Sequence, residues 1–215
     1  LAAMIDLINS TRACNIVTVE DPIEFLHRHK KSTVRQRELG TDTHSFSSAL
    51  RHVLRHDPDI IMIGEMRDQD SISIALTAAE TGHLVLSTLH TQTAPLTITR
   101  IIDSFSEDKR LQIRQQLANS LRAVISQQLV PTIDGKGRVA AIEYMVDTPA
   151  IRSQIREGKE HQLYSSIQTG HAQGMQTMDQ ALVKLYKQGK ISRDSVLEHC
   201  IDRIEVERLM QNSFF

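Results

Sequence analysis

The sequence predicts an α/β protein with a mainly parallel sheet, followed by a smaller helical subdomain. Three observations carry this prediction. Short β-branched or fully apolar runs alternate with helix-length amphipathic segments through the first two thirds of the chain. Each run is only three or four residues long and is bounded by turn formers, as buried strands are. Beyond Pro149 the periodicity is only helical, so residues 1–147 and 148–215 are expected to be separate domains.

In chain order, Leu1–Ile8 places apolar residues at 1, 4, 5 and 8, one face of a helix. It has no N-cap and reads as the tail of a helix that begins upstream. Ile16-Val17-Thr18-Val19 is a β-branched strand closed by the acidic turn Glu20-Asp21-Pro22. The basic run His27–Lys31 reads as a solvated loop. Ser45–His56 has apolar residues at 46, 49, 50, 53 and 54, an amphipathic helix capped by Thr43 or Ser45. His52 and His56 fall on its polar face with Arg51 and Arg55 and read as solvated. Ile60-Ile61-Met62-Ile63, between Asp57-Pro58-Asp59 and Gly64-Glu65, is a fully buried strand.

Asp68 is placed to cap the next helix, with Ile72, Ala75, Leu76 and Ala79 inward and Gly82 past its end. Leu84-Val85-Leu86 is a third buried strand. Pro95 opens a helix, and a long one is expected over 107–129 with Leu117, Leu121, Val124 and Ile125 inward. The turn Asp134–Gly137 precedes a strand at 138–146. Thr177-Met178-Asp179-Gln180 is a capping box for a helix that Gly189 ends.

Composition narrows the class. The chain has 215 residues, 40% hydrophobic, with net charge −1, which suits one or two globular domains and gives no global case for nucleic-acid binding. No apolar run approaches the roughly 18 residues of a membrane span. Cys14 and Cys200 have neither metal-ligand nor disulfide spacing, which fits a reducing compartment.

The chemistry gathers at strand ends. The three predicted strands lead into Glu20, Asp21 and Glu24, into Glu65, and into His90. If the strands are parallel, these groups share the edge of the sheet where ligands bind in open α/β folds. A carboxylate such as Glu65, directly after a buried strand, is costly to desolvate unless a cation or water answers it. One such residue alone would be an ordinary turn residue; three coincident ends supply the parts of phosphoryl transfer.

These residues also resemble a family. Leu54–Asp68 matches the Walker B signature of the type II/type IV secretion ATPase superfamily along its whole length. Glu20–Phe25 is similar to that superfamily's Asp box, and Thr81–His83 through Leu89–Thr91 to its His box. Ala150-Ile151-Arg152-Ser153-Gln154-Ile155-Arg156-Glu157 resembles the AIRNLIRE motif of type IV pilus retraction motors, departing at Ser153 and Gln154. The resemblance implies a RecA-like P-loop NTPase core acting on ATP with Mg²⁺, in a homohexamer. Such a motor would be cytoplasmic and peripheral to the inner membrane. It would work on a pilus platform protein and drive retraction and twitching.

By resemblance, Glu24 would polarise the attacking water, Glu65 would hold Mg²⁺ through water, and His90 would lie near the γ-phosphate. Glu20, Asp21 and Arg67 are expected to contact nucleotide. Ala150, Ile151, Arg152, Ile155, Arg156 and Glu157 would couple nucleotide state to the machinery. His83 belongs to the same catalytic motif, yet it precedes its strand, about five residues of roughly 3.3 Å each from the ligand edge. Arg67, Arg100 or Arg114 could each act on a neighbouring subunit's phosphate.

No Gly-x-x-x-x-Gly-Lys-Ser/Thr occurs. In the family the phosphate loop lies immediately before a stretch like Leu1–Asp6, so the chain is expected to start just after it and to be inactive alone. The paired-cysteine zinc element of assembly motors and type II secretion ATPases is absent from 100–140, which favours retraction. The rival readings are a secretion or DNA-uptake ATPase and a non-catalytic regulator of the same fold.

Overall fold

A computed structural model of the chain describes residues 1–211. Those residues form two compact units: Leu1–His90 with Ser104–Ser106, and Thr91–Asp103 with Glu107 onward. The expected boundary at 147–148 falls within the second unit.

The first unit holds α1 (Ala2–Thr11), β1 (Asn15–Glu20), β2 (Thr33–Glu38), α2 (Phe46–Val53), β3 (Ile60–Ile63), α3 (Gln69–Glu80) and β4 (Leu84–Ser87). All four strands are parallel, in the order β2-β1-β3-β4. Helices cover both faces, so the central strands are near-continuous apolar runs rather than alternating ones. On one face Val17, Val19, Ile61 and Ile63 pack with Phe46, Ala49, Leu50 and Val53 of α2 and with Ala75 and Ala78 of α3. On the other, Ile16, Val34, Ile60 and Met62 pack with Ile5 of α1.

Both expected caps are in place. Ser45 accepts from the Ser48 amide at the start of α2, and Asp68 from the Ser71 amide at the start of α3. In α3 the buried alanines are Ala75 and Ala78, with Ala79 only half-buried. Strand β2 lies outside the sequence expectations. It is an edge strand whose Arg35 and Arg37 stay exposed, so it carries no apolar run to announce it.

The second unit holds α4 (Ala94–Asp103), α5 (Glu107–Ser120), β5 (Ala123–Pro131), β6 (Arg138–Val146), α6 (Pro149–Arg156), α7 (Leu163–Thr169), α8 (Met178–Lys187), α9 (Arg193–His199) and α10 (Arg203–Gln211). Here one expectation is corrected. The helix expected over 107–129 ends at Ser120, and 123–131 is a strand paired antiparallel with β6 across the 132–137 turn. Leu121, Val124 and Ile125 mimic helical spacing. In the strand Val124, Ser126 and Val130 turn inward and Ile125 is 45% exposed. The long-range pairing with β6 outweighs the local pattern.

Glu143 of β6 is fully buried and accepts the Ala94 amide (2.6 Å) and the Met178 amide (3.1 Å). One carboxyl thereby serves the N-termini of both α4 and α8. Burial pushes its pKa up, while the two amides act in the opposite sense. Thr177 and Gln180 form the expected capping box. Ile151, Ile155 and Leu163 are buried, as the helical pattern after Pro149 predicts.

Candidate active site

The register of the parallel sheet builds the site. Val19, Ile63 and Ser87 lie level on β1, β3 and β4, so the residues after them emerge along one edge. These are Glu20-Asp21, Gly64-Glu65 and Thr88 to His90. The turn after β3 is fastened to both neighbours. The Gly64 amide donates to the Val19 carbonyl (2.7 Å), the Met66 amide to the Thr88 carbonyl (3.3 Å), and the Thr88 hydroxyl to the Gly64 carbonyl.

Glu65 is the hub of the edge. Its Oε2 accepts from Arg67 Nε at 2.6 Å, and its Oε1 lies 3.1 Å from His90 Nε2. Arg67 also reaches toward Asp21, 4.0 Å away. The side chain of Glu65 is 20% exposed, but those of Arg67 and His90 are 61% and 73% exposed, so solvent screens both contacts. The Arg67 hydrogen bond holds the Glu65 carboxyl below the usual carboxylate range, against the burial that would raise it. Glu65 is therefore an ionised oxygen donor at neutral pH, with the Asp21 carboxylate nearby. Hard oxygen donors of this kind suit Mg²⁺.

Glu20 closes the edge from inside. It is 7% exposed, and its Oε1 accepts from the Thr18 hydroxyl (2.6 Å) and from Gln36 Nε2 (3.0 Å). Glu24 is exposed on the 21–32 segment between β1 and β2 and is not among the groups that touch Glu65. His83 stands at the opposite end of β4. Its Nδ1 lies 2.9 Å from the Ala78 carbonyl and 3.2 Å from the Thr81 hydroxyl, where it finishes α3.

The 150–157 segment is α6 in the second unit. Ala150 and Glu157 are exposed, and Ile151 and Ile155 are core. The two arginines differ. Arg152 forms a paired hydrogen bond to Asp147, whose side chain is 8% exposed, whereas Arg156 is exposed. Sequence reasoning missed Asp147 as the acid that answers Arg152, and it missed Gln36. Both lie outside the recognised motifs. Their only sequence signals are a carboxylate five residues before Arg152 and a period of two in Thr33–Glu38.

Comparison with known proteins places these features. The family model described as "Type II/IV secretion system protein" matches residues 1–199. The type IV pilus retraction ATPase PilT of Pseudomonas aeruginosa is 55% identical over 198 residues, covering 92% of this chain and 57% of that protein. The Neisseria gonorrhoeae twitching motility protein is 54% identical over 195 residues, covering 91% and 52%. Among solved structures, the pilus retraction motor PilT with bound ADP superposes with a TM-score of 0.90 at 52% identity, covering 96% of this chain and 58% of that one. The ATPase DotB of Legionella pneumophila follows with a TM-score of 0.82 at 34% identity, covering 91% and 54%. The chain spans about half the length of the curated relatives it matches.

Proposed function

The chain belongs to the type II/IV secretion system protein family, and on that premise we propose that it supplies the catalytic half of an ATP-hydrolysing type IV pilus retraction motor. The observation that carries this is the convergence of Glu20, Asp21, Glu65 and His90 on one sheet edge, with Glu65 held between Arg67 and His90. Its relatives include a retraction ATPase and a twitching motility protein, and one solved structure similar to it holds ADP.

In the working motor the chain would form part of a homohexamer. It would act in the cytoplasm at the inner membrane, on the pilus platform protein. No described helix is long and apolar enough to cross a membrane.

Each residue has a task in this reading. Glu65, with Asp21 beside it, would hold Mg²⁺ through water; the ion, when bound, supplies Lewis-acid charge neutralisation on the phosphates. Glu24 would orient the attacking water, and His90 would approach the γ-phosphate from the end of β4. Arg67, which pairs with Glu65, would contact the phosphates. Glu20 is too buried to meet substrate broadside and would act by setting the path of Asp21 and the loop behind it. α6, with Arg156 exposed, would couple nucleotide state to the pilus machinery.

Glu65→Gln in the full-length protein tests the reading. Turnover should fall by about 10²-fold or more, with ATP binding retained. Turnover within about threefold of the parent would take Glu65 out of the site.

A further inference from the structure

The loop that carries Glu24 has no secondary structure of its own, yet it is tied down at three backbone points by one neighbouring strand. Glu38 Oε2 accepts the Ile23 amide at 2.9 Å. Gln36 Nε2 donates to the Phe25 carbonyl at 2.8 Å, and Gln36 Oε1 accepts the His27 amide at 2.7 Å. Residues 36 and 38 share one side of β2, because strand side chains alternate. They grip residues 23, 25 and 27 and leave Glu24 between two anchored neighbours. Among the described residues, these are the hydrogen bonds that fix the backbone from Asp21 to His27.

The Gln36 amide has one workable orientation. Its NH₂ faces two acceptors, the Phe25 carbonyl and Glu20 Oε1, and its oxygen faces an N–H. It therefore couples the buried carboxylate at the end of β1 to the loop that follows it. A carboxylate at position 36 could accept but not donate, and so could not make this link. An exposed loop free of such ties would have to lose its freedom in every catalytic cycle before Glu24 could hold a water in line.

We propose that Gln36 and Glu38 are positioning residues for Glu24: they pre-set the loop so that its carboxylate meets the attacking water. This rests on the reading that Glu24 orients that water. Both act through the loop backbone, Gln36 also through its bond to Glu20.

The test uses the full-length ATP-hydrolysing protein. Gln36→Met keeps the side-chain length and removes all three bonds, and Glu38→Met removes the tie to Ile23. Each should lower kcat by about tenfold while KM for ATP stays within about twofold, since the loop and not the binding site has loosened. Glu38→Gln keeps an oxygen for the Ile23 amide and should restore at least half of the lost kcat. Amide exchange should quicken at His27 in Gln36→Met and at Ile23 in Glu38→Met. If Gln36→Met does not fold, Gln36→Glu serves; it keeps an acceptor for His27 but loses both donated bonds. Unchanged kcat alongside faster exchange, or a fall in thermal stability with kcat of the folded protein intact, would overturn the inference. Glu24→Gln is run in parallel. If that variant retains full turnover, the reading of Glu24 itself has failed; if it is inactive while Gln36→Met is normal, only the positioning role has.

Discussion

Gly64→Ala probes how closely β1 and β3 must approach for the edge to form. Gly64 does not occupy the left-handed region, so alanine is permitted by the backbone, and the question is one of space. A Cβ built there stands 3.3 Å from Glu20 Cα and 3.3 Å from the Val19 carbonyl oxygen, both main-chain atoms. Comfortable contact needs about 3.5–4.0 Å, so the strands must part by a few tenths of an ångström. β1 has little room to yield: Val19 is fully buried, and β2 is paired along its other side. Overpacking of this sort costs about 1–3 kcal/mol. Alanine recovers about 0.4–1 kcal/mol by stiffening the unfolded chain. The net is a loss of roughly 0.5–2 kcal/mol, or a Tm lower by about 1–8 °C for a protein of this size. Activity should suffer as well. If a 1 Å misplacement costs about 10²-fold, a shift of nearly half that between Glu65 and Asp21 costs roughly fivefold to tenfold. Differential scanning calorimetry and steady-state ATP turnover on the full-length protein read both effects. A Tm that is unchanged or higher, with normal turnover, would show that the close approach at Gly64 does not constrain the site.

Two further expectations concern paired residues. His90→Ala should lower turnover more than His83→Ala, because His90 touches Glu65 whereas His83 finishes α3 at the far end of β4; equal losses with unchanged oligomer size by light scattering would refute this. Arg156→Ala should leave Tm and ATP turnover near normal while abolishing twitching on plates, whereas Arg152→Ala should lower Tm by leaving the Asp147 carboxylate only its 3.8 Å contact with Arg122; normal spreading by Arg156→Ala would make that position plain surface.

The sequence discloses a residue best where its environment is decided locally or by burial on both sides. Ile60–Ile63 is legible because a strand covered on both faces must be apolar throughout. Ser45, Asp68 and Thr177 are legible because capping is a transaction between residues three apart. The strand-end argument that groups Glu65 with His90 works because parallel pairing follows from the alternation of elements. What stays hidden depends on distant partners. Val124 and Ile125 sit at a spacing that suits either helix or strand, and only β6, reached across the 132–137 turn, decides. Thr33–Glu38 pairs with β1 as an edge, where charged side chains are tolerated and no apolar signal is needed. Likewise, Arg152 and Arg156 look equivalent at i and i+4 until Asp147 comes into view.

The two rims of the four-stranded sheet are not alike. β2 closes one side with Arg35 and Arg37 exposed, charges that discourage another strand from docking. β4 closes the other with Leu84-Val85-Leu86-Ser87, which has neither charge nor proline, and Leu84 is 37% exposed. No described strand pairs along its outer side. It is adhesive in a way the opposite rim is not. Between the two rims, β4 is therefore where another strand could add, because it lacks the charges by which Arg35 and Arg37 discourage addition at β2.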